Sequence, residues 1–121
     1  MFFPEGRVRV FVCGLPVDMR KSFDGLQALA RQQLRQDPLS GHLFVFVNRR
    51  GTQIKILYWD RSGFCIWAKR LEQGVFWRWS QPPPAALDWT RLKLLLEGIE
   101  PLRQRRRYLR RPPEIVETTI G

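Results

Sequence analysis

Apolar and polar positions alternate with a period of two through the middle of the chain, residues 42–70, HLFVFVNRRGTQIKILYWDRSGFCIWAKR. Three runs rich in β-branched and aromatic residues (43–47, 53–59 and 64–69) are separated by Asn48-Arg49-Arg50-Gly51 and Asp60-Arg61-Ser62-Gly63. Each break opens with a residue suited to turn position i and closes with a glycine able to take positive φ, as a type I turn with a bulge needs. The pattern predicts a three-stranded antiparallel meander. If both loops close symmetrically, Leu43, Val45, Val47, Ile54, Ile56, Tyr58, Cys65 and Trp67 share one face. Phe44, Phe46, Gln53, Lys55, Leu57, Trp59, Phe64, Ile66, Ala68 and Arg70 share the other. Side chains alternate sides along a strand, so the first, almost purely apolar face is expected to be covered by a helix. The second mixes aromatics with cations. It is suited to stacking bases and holding phosphates, or it is a second core face with the cations as a solvated rim.

The flanks add elements to this centre. Residues 7–13 (RVRVFVC) predict a strand of the same sheet, broken at Gly14-Leu15-Pro16. A helix is expected over residues 22–35, with Ser22 as N-cap and Asp24 in the first turn, where the helix dipole favours a carboxylate. Its stripe of Phe23, Leu26, Leu29, Ala30 and Leu34 makes it the candidate cover for the aliphatic face of the meander. Asp37-Pro38 ends it, because a residue before proline disfavours helix. Residues 75–79 predict a short edge strand with Phe76 on one side and Trp77 and Trp79 on the other. Such an edge would offer a route to a dimer. Pro82-Pro83-Pro84 is a stiff connection. A second helix is expected over residues 89–97, with Asp88 as N-cap, Gly98 at C′, and Leu92, Leu95, Leu96 and Ile99 as its apolar side. The fold class is thus α+β: a small antiparallel sheet, the central meander plus one or two further strands, packed against two helices. It forms one domain over residues 1–100, followed by a basic C-terminal tail, 101–121.

Charge changes the picture most. Twenty-one Lys and Arg against eleven Asp and Glu leave a net +10 in 121 residues, and the pI is near 11.0. An excess on this scale points to a polyanion. The tail carries Arg103, Arg105, Arg106, Arg107, Arg110 and Arg111, yet residues 1–100 are also basic without it. Guanidinium binds phosphate bidentately and stacks on bases, which suits such a run to phosphate contacts. The bland alternative is a solvated solubility tail. No run approaches the apolar length of a membrane span and the start has no secretory pattern, so no membrane partner and a cytoplasmic location are expected. Cys13 and Cys65 lie inside apolar strand patterns without ligand-like spacing, which reads as buried thiols in a reducing compartment.

Catalytic chemistry finds little support. The single histidine, His42, stands at a strand start. Asp18, Asp24 and Asp60 are the carboxylates that a two-metal nuclease would need clustered. However, Asp24 has a helix-start explanation and Asp60 a turn explanation. Asp18 is suited to an Asx-turn or to pairing with Arg20 or Lys21. No phosphate-cradling glycine loop, cysteine pairs or Ser-His-Asp set is present. Neither catalysis nor a cofactor or metal is expected.

Two blocks carry a resemblance. Asp18-Met19-Arg20-Lys21-Ser22-Phe23-Asp24-Gly25-Leu26 is similar to the DMRKGFDGL signature of a bacterial transposon family. The central block resembles the same family at Asp37-Pro38, at residues 40–46, and at Asn48-Arg49-Arg50-Gly51, Ile54-Lys55, Trp59-Asp60, Gly63-Phe64 and residues 69–72. The closing LKLLLEGI, residues 92–99, is similar too. Over roughly residues 6–100 the chain resembles TnpB, the small Orf-two-like accessory proteins of insertion sequence family sixty-six. Ser22 stands where glycine is usual, and Trp79-Ser80 where Trp-Pro is usual. The arginine tail past Pro101 is not carried over from that family. The resemblance implies a cytoplasmic protein encoded beside a separate DDE-type transposase and needed for efficient transposition, and it assigns no biochemical activity of its own.

Two functions follow as expectations. In the first, the chain binds DNA to assist the transposase. Arg20, Lys21, Arg49, Arg50, Lys55 and Arg70 make the contacts from the folded part, and Arg105, Arg106 and Arg107 add affinity. In the second, it is an adaptor that docks on the transposase without touching DNA, with Trp59, Trp77, Trp79 and Trp89 as anchors, since Trp is favoured at interface hot spots. Core roles for these tryptophans compete with that reading. Coalescence of Arg49, Arg50, Lys55 and Arg70 into one exposed surface would favour nucleic acid.

Overall fold

A computed structural model describes residues 8–98 of the chain. In chain order the elements are β1 (Val10–Val12), α1 (Phe23–Gln32), a single 3-10 turn (Pro38–Ser40), β2 (Leu43–Val47), β3 (Gln53–Asp60), β4 (Gly63–Arg70), β5 (Ala86–Leu87) and α2 (Trp89–Glu97). They form one five-stranded sheet in the order β4-β3-β2-β1-β5. The α+β class and the central meander are as expected. Val45 lies opposite Ile56, which lies opposite Trp67; Phe46, Lys55 and Ala68 align in the same way. These pairings are the ones the two-residue periodicity demands.

The sheet is not wholly antiparallel. β1 runs parallel to β2, with α1 as the crossover that a parallel neighbour requires. The other edge is β5, antiparallel to β1 and extended by a hydrogen bond from Val12 N–H to Ala85 O at 2.8 Å. Residues 75–79, expected as the edge strand, form no strand. Only Val75 makes a bridge, and Phe76 and Trp77 are both buried in the same core rather than on opposite sides. That segment folds back under the β2–β3 turn, with Phe76 N–H donating to Gly51 O at 2.7 Å, so its backbone pairs with a turn and not with a strand.

Both faces of the sheet are covered. The aliphatic face packs Leu43, Val45, Val47, Ile54 and Ile56 with Val10, Val12, Phe76, Trp77, Leu87 and Leu92. The cover on this side is α2 and the 76–79 segment, with Trp89, Leu95 and Leu96 packed against the cluster. The helix α1 lies over the other face instead, where Leu26 and Ala30 meet Phe44, Phe46 and Leu57. The expectation that α1 covers the aliphatic face is therefore wrong. A connection between parallel strands of one sheet takes a single hand in nearly all proteins. The β1–β2 pairing therefore decides which side α1 occupies, whatever the relative apolarity of the faces. Phe44 and Phe46, offered as base-stacking aromatics, are fully buried. Each contributes about 1.5–3 kcal/mol of burial. The aromatic part of the mixed face is a second core.

Local chemistry sets the boundaries. Asp88 caps α2, its carboxylate accepting from Arg91 N–H at 2.8 Å, and Gly98 closes it at φ 84°. Ser22 stands at the N-cap of α1 but makes no side-chain capping bond. That helix also stops at Gln32, short of residue 35, as Arg35 takes φ 55°. Gln36 N–H then reaches back to Ala30 O. Gly51 has the positive φ expected of the first turn, 79°; in the second turn it is Arg61, at 53°, and not Gly63, that takes it. Here β3 and β4 run on to Asp60 and Gly63, leaving only Arg61-Ser62 to connect them.

Candidate nucleic-acid interface

Where α1 leaves the mixed face uncovered, an open cleft of about 840 Å³ remains. One wall is the loop Pro16-Val17-Asp18-Met19-Arg20 that leads into α1. The opposite wall is the β2–β3 turn with Asn48, Arg49 and Arg50, and the sheet contributes Gln53, Lys55, Ala68 and Arg70. The loop is held to the sheet by two main-chain bonds, Cys13 N–H to Val45 O and Val17 N–H to Val47 O, both 2.9 Å. The turn is braced from three sides. Asn48 Oδ1 accepts from the N–H groups of Thr52 (2.9 Å) and Gln53 (3.0 Å). Trp79 Nε1 donates to Asn48 O at 2.8 Å. Gly51 lies so close to Trp77 O that a Cβ there would clash with it. The exposed guanidinium stems of Arg49 and Arg50 thus stand on a rigid support.

Five of the six folded-part cations expected at the site, Arg20, Arg49, Arg50, Lys55 and Arg70, line this one cleft; Lys21 does not. Their states differ. Arg49 and Arg50 are exposed at the turn tip. Arg70 is 69% exposed and only loosely paired with Glu72, at 3.7 Å. Arg20 is committed to Asp18: Nη2 donates to Oδ2 at 2.7 Å, and Nε to Oδ1 and Oδ2 at 3.1 Å. Asp18 also accepts from Arg20 N–H at 2.9 Å, which is the Asx-type turn and local pairing its position allowed. The Arg20 side-chain bond, helped by this backbone bond, holds the Asp18 carboxyl down at about 2. Lys55 is not a free phosphate ligand. Its ammonium donates to Met19 O (2.7 Å) and Lys21 O (2.8 Å), tying the loop wall to the sheet. Arg105, Arg106 and Arg107 lie outside the described residues.

The tryptophans are engaged within the molecule. Trp77 is 3% exposed, Trp79 and Trp89 are half-buried against the aliphatic core, and Trp59 packs edge-on to Phe64 with ring centroids 5.0 Å apart. His42 accepts from Arg9 N–H at 3.0 Å through Nδ1; partial burial, with Arg9 nearby, lowers its pKa. Cys13 is a buried free thiol, and burial raises its pKa; Cys65 is free and half-buried. Among the described residues no three His, Cys, Asp or Glu gather closely enough to hold a metal ion, so Asp18, Asp24 and Asp60 do not converge. Sequence reasoning missed Lys69, whose ammonium donates to Leu96 O at 2.9 Å and ties β4 to the end of α2. The register alone puts Lys69 on the covered side, which was the available signal. It also missed the indole of Trp79 as a brace of the arginine turn, for which no sequence signal exists.

The fold and cleft define a small basic α+β protein whose cations gather at one open concavity. The chain belongs to the IS66 Orf2 like protein family (TnpB), which matches residues 8–106. The match runs past Pro101 as far as residue 106. Two similar proteins of Sinorhizobium fredii are the uncharacterized proteins y4hO and y4jC. The first is 36% identical over 99 residues, 80% of this chain and 86% of the relative. The second is 34% identical over 119 residues, 95% and 99% of the two chains. No solved structure matches. Family membership implies an accessory role in transposition. Among the described residues no helix is long and apolar enough to cross a membrane.

Proposed function

We propose that this accessory protein is non-catalytic and binds DNA directly, holding the phosphate backbone in the cationic cleft to assist the transposase. The observation that carries this reading is the gathering of Arg49, Arg50 and Arg70 on a braced turn and the adjoining strand end, beside a loop pinned by Lys55. Arginines carried on a braced turn start from fixed backbone positions, and each planar fork is itself pre-organised for phosphate. The lining has no aromatic residue on which a base could stack, so phosphate rather than base contacts dominate and sequence preference is weak. The adaptor reading has less support, because Trp77 is buried in the core and Trp79 and Trp89 pack against it, which leaves Trp59, edge-on to Phe64, as the one of its four anchors outside that cluster. A mobility-shift titration of linear duplex at two salt concentrations tests the proposal. Binding that weakens steeply with salt, and is markedly weaker in an Arg49→Ala/Arg50→Ala double variant, is expected. No binding by the wild-type chain at low salt refutes it.

A further inference from the structure

The two edges of the sheet are unlike. At one, β5 is two residues long; at the other, β4 presents eight, Gly63–Arg70, with no proline. Long, unblunted edges are rarely left bare, because each carries a row of unpaired main-chain donors and acceptors. The ladder identifies which groups these are. Leu71 N–H donates to Thr52 O at 2.8 Å, on the same register as the β3–β4 pairs. Bonding alternates along an antiparallel pair, so Cys65, Trp67 and Lys69 bond to β3, while Phe64, Ile66, Ala68 and Arg70 direct N–H and C=O outward. No described strand pairs with that side.

We propose that a second copy of this chain pairs with β4 along this edge, antiparallel, to give a continuous ten-stranded sheet. Charge selects the direction. Parallel pairing would bring Lys69 and Arg70 of the two copies side by side, and like charges directly opposite each other destabilise a sheet. Antiparallel pairing centred near Ile66 carries them to opposite ends, each beside the other copy's Asp60–Gly63 turn, whose Asp60 offsets its Arg61. The small, exposed Ala68 then faces the other copy's Phe64, which leaves room for the ring. The two-fold axis of such a pairing stands perpendicular to the sheet, so both copies turn the same face to the same side. The two cationic clefts therefore face one way, with their Arg70 residues roughly 27 Å apart along the strands.

The pairing itself does not depend on the DNA reading and is measured with nucleic acid absent. Sedimentation equilibrium of the full chain is expected to give twice 14.4 kDa at micromolar concentration. Ala68→Pro removes an outward N–H without touching the β3 ladder and is expected to give 14.4 kDa with an unchanged circular dichroism spectrum. Hydrogen exchange on the wild-type chain supplies a check that needs no variant. The amides of Phe64, Ile66, Ala68 and Arg70 are expected to gain at least tenfold protection between dilute and concentrated samples. A wild-type monomer at all concentrations overturns the proposal. So does a dimer in which those four amides exchange equally fast throughout, or a folded Ala68→Pro variant that remains dimeric.

Discussion

The ammonium of Lys55 lies between the carbonyls of Met19 and Lys21, and the carboxylate of Asp18 lies in the fork of Arg20. Both residues therefore shape the cleft before any ligand arrives, in opposite senses. Lys55→Met keeps the stem but removes two charge-assisted bonds, of which each contributes about 1.5–3 kcal/mol when intact. Partial exposure reduces this, and a loss of about 1–2 kcal/mol is expected by urea denaturation. Arg49→Ala, on an exposed turn tip, should stay within about 0.5 kcal/mol of wild type. Asp18 is a restraint on the site: it places a negative charge in the cleft and occupies Arg20. Asp18→Asn should raise affinity for duplex DNA about three- to tenfold at low salt and far less at high salt, because exposed charges are screened. The sign of its pH dependence follows from its depressed pKa. The pair's contribution is complete above the ordinary carboxylate range and fades only as pH falls through about 2. Carbon-detected titration of the Asp18 carboxyl should place its midpoint there, and affinity should be flat between pH 5 and 8 as far as this pair is concerned.

The turn after β2 is the element on which the site depends, and its rigidity comes from outside itself. Gly51 meets two constraints at once, a φ of 79° and the carbonyl of Trp77 where a Cβ would stand. Gly51→Ala should therefore cost more than the conformational penalty alone, at least about 2 kcal/mol, with a fall in melting temperature. Trp79→Phe, which keeps the ring packing and removes the Nε1 bond to Asn48 O, should cost about 1 kcal/mol. Its effect on DNA affinity should exceed its effect on stability, because the arginines lose their fixed bearing. The turn and the strands on either side of it were legible in the sequence because both are local: alternation fixes the face of each residue, and Asn and Gly mark the bend. The bounds of α2 were legible for the same reason, through Asp88 and Gly98. The side taken by α1 was not, since the parallel β1–β2 pairing that decides it joins residues far apart in the chain. The occupation of Lys55 was hidden for a related reason, as its partners are main-chain carbonyls that any sequence would supply.

At the scale of the whole molecule, net charge and geometry act at different ranges. On the proposed reading, the +10 charge would draw a polyanion in at long range and the cleft would fix where it rests. The described chain ends at Gly98, which packs against Leu71, the neighbour of Arg70. Six residues separate Gly98 from Arg105, and the seven steps between them reach at most about 25 Å. Chain length alone therefore keeps the arginines at 105–107 within that reach of Gly98, and their contribution should act as a raised local concentration of cation. If the whole chain neutralises about five phosphates, affinity should fall by about 10²–10³ between 50 and 200 mM salt. Replacing Arg105, Arg106 and Arg107 by alanine should make the log–log salt slope shallower by up to about three contacts' worth, ~0.9 each. Urea denaturation of residues in the sheet should be unchanged. The Arg49→Ala/Arg50→Ala variant should take away up to two contacts' worth and, unlike the tail variant, abolish the salt-resistant residue of binding. If the two variants proved interchangeable at equal charge removed, the polyanion would be held by net charge alone and the cleft would have no special part in it.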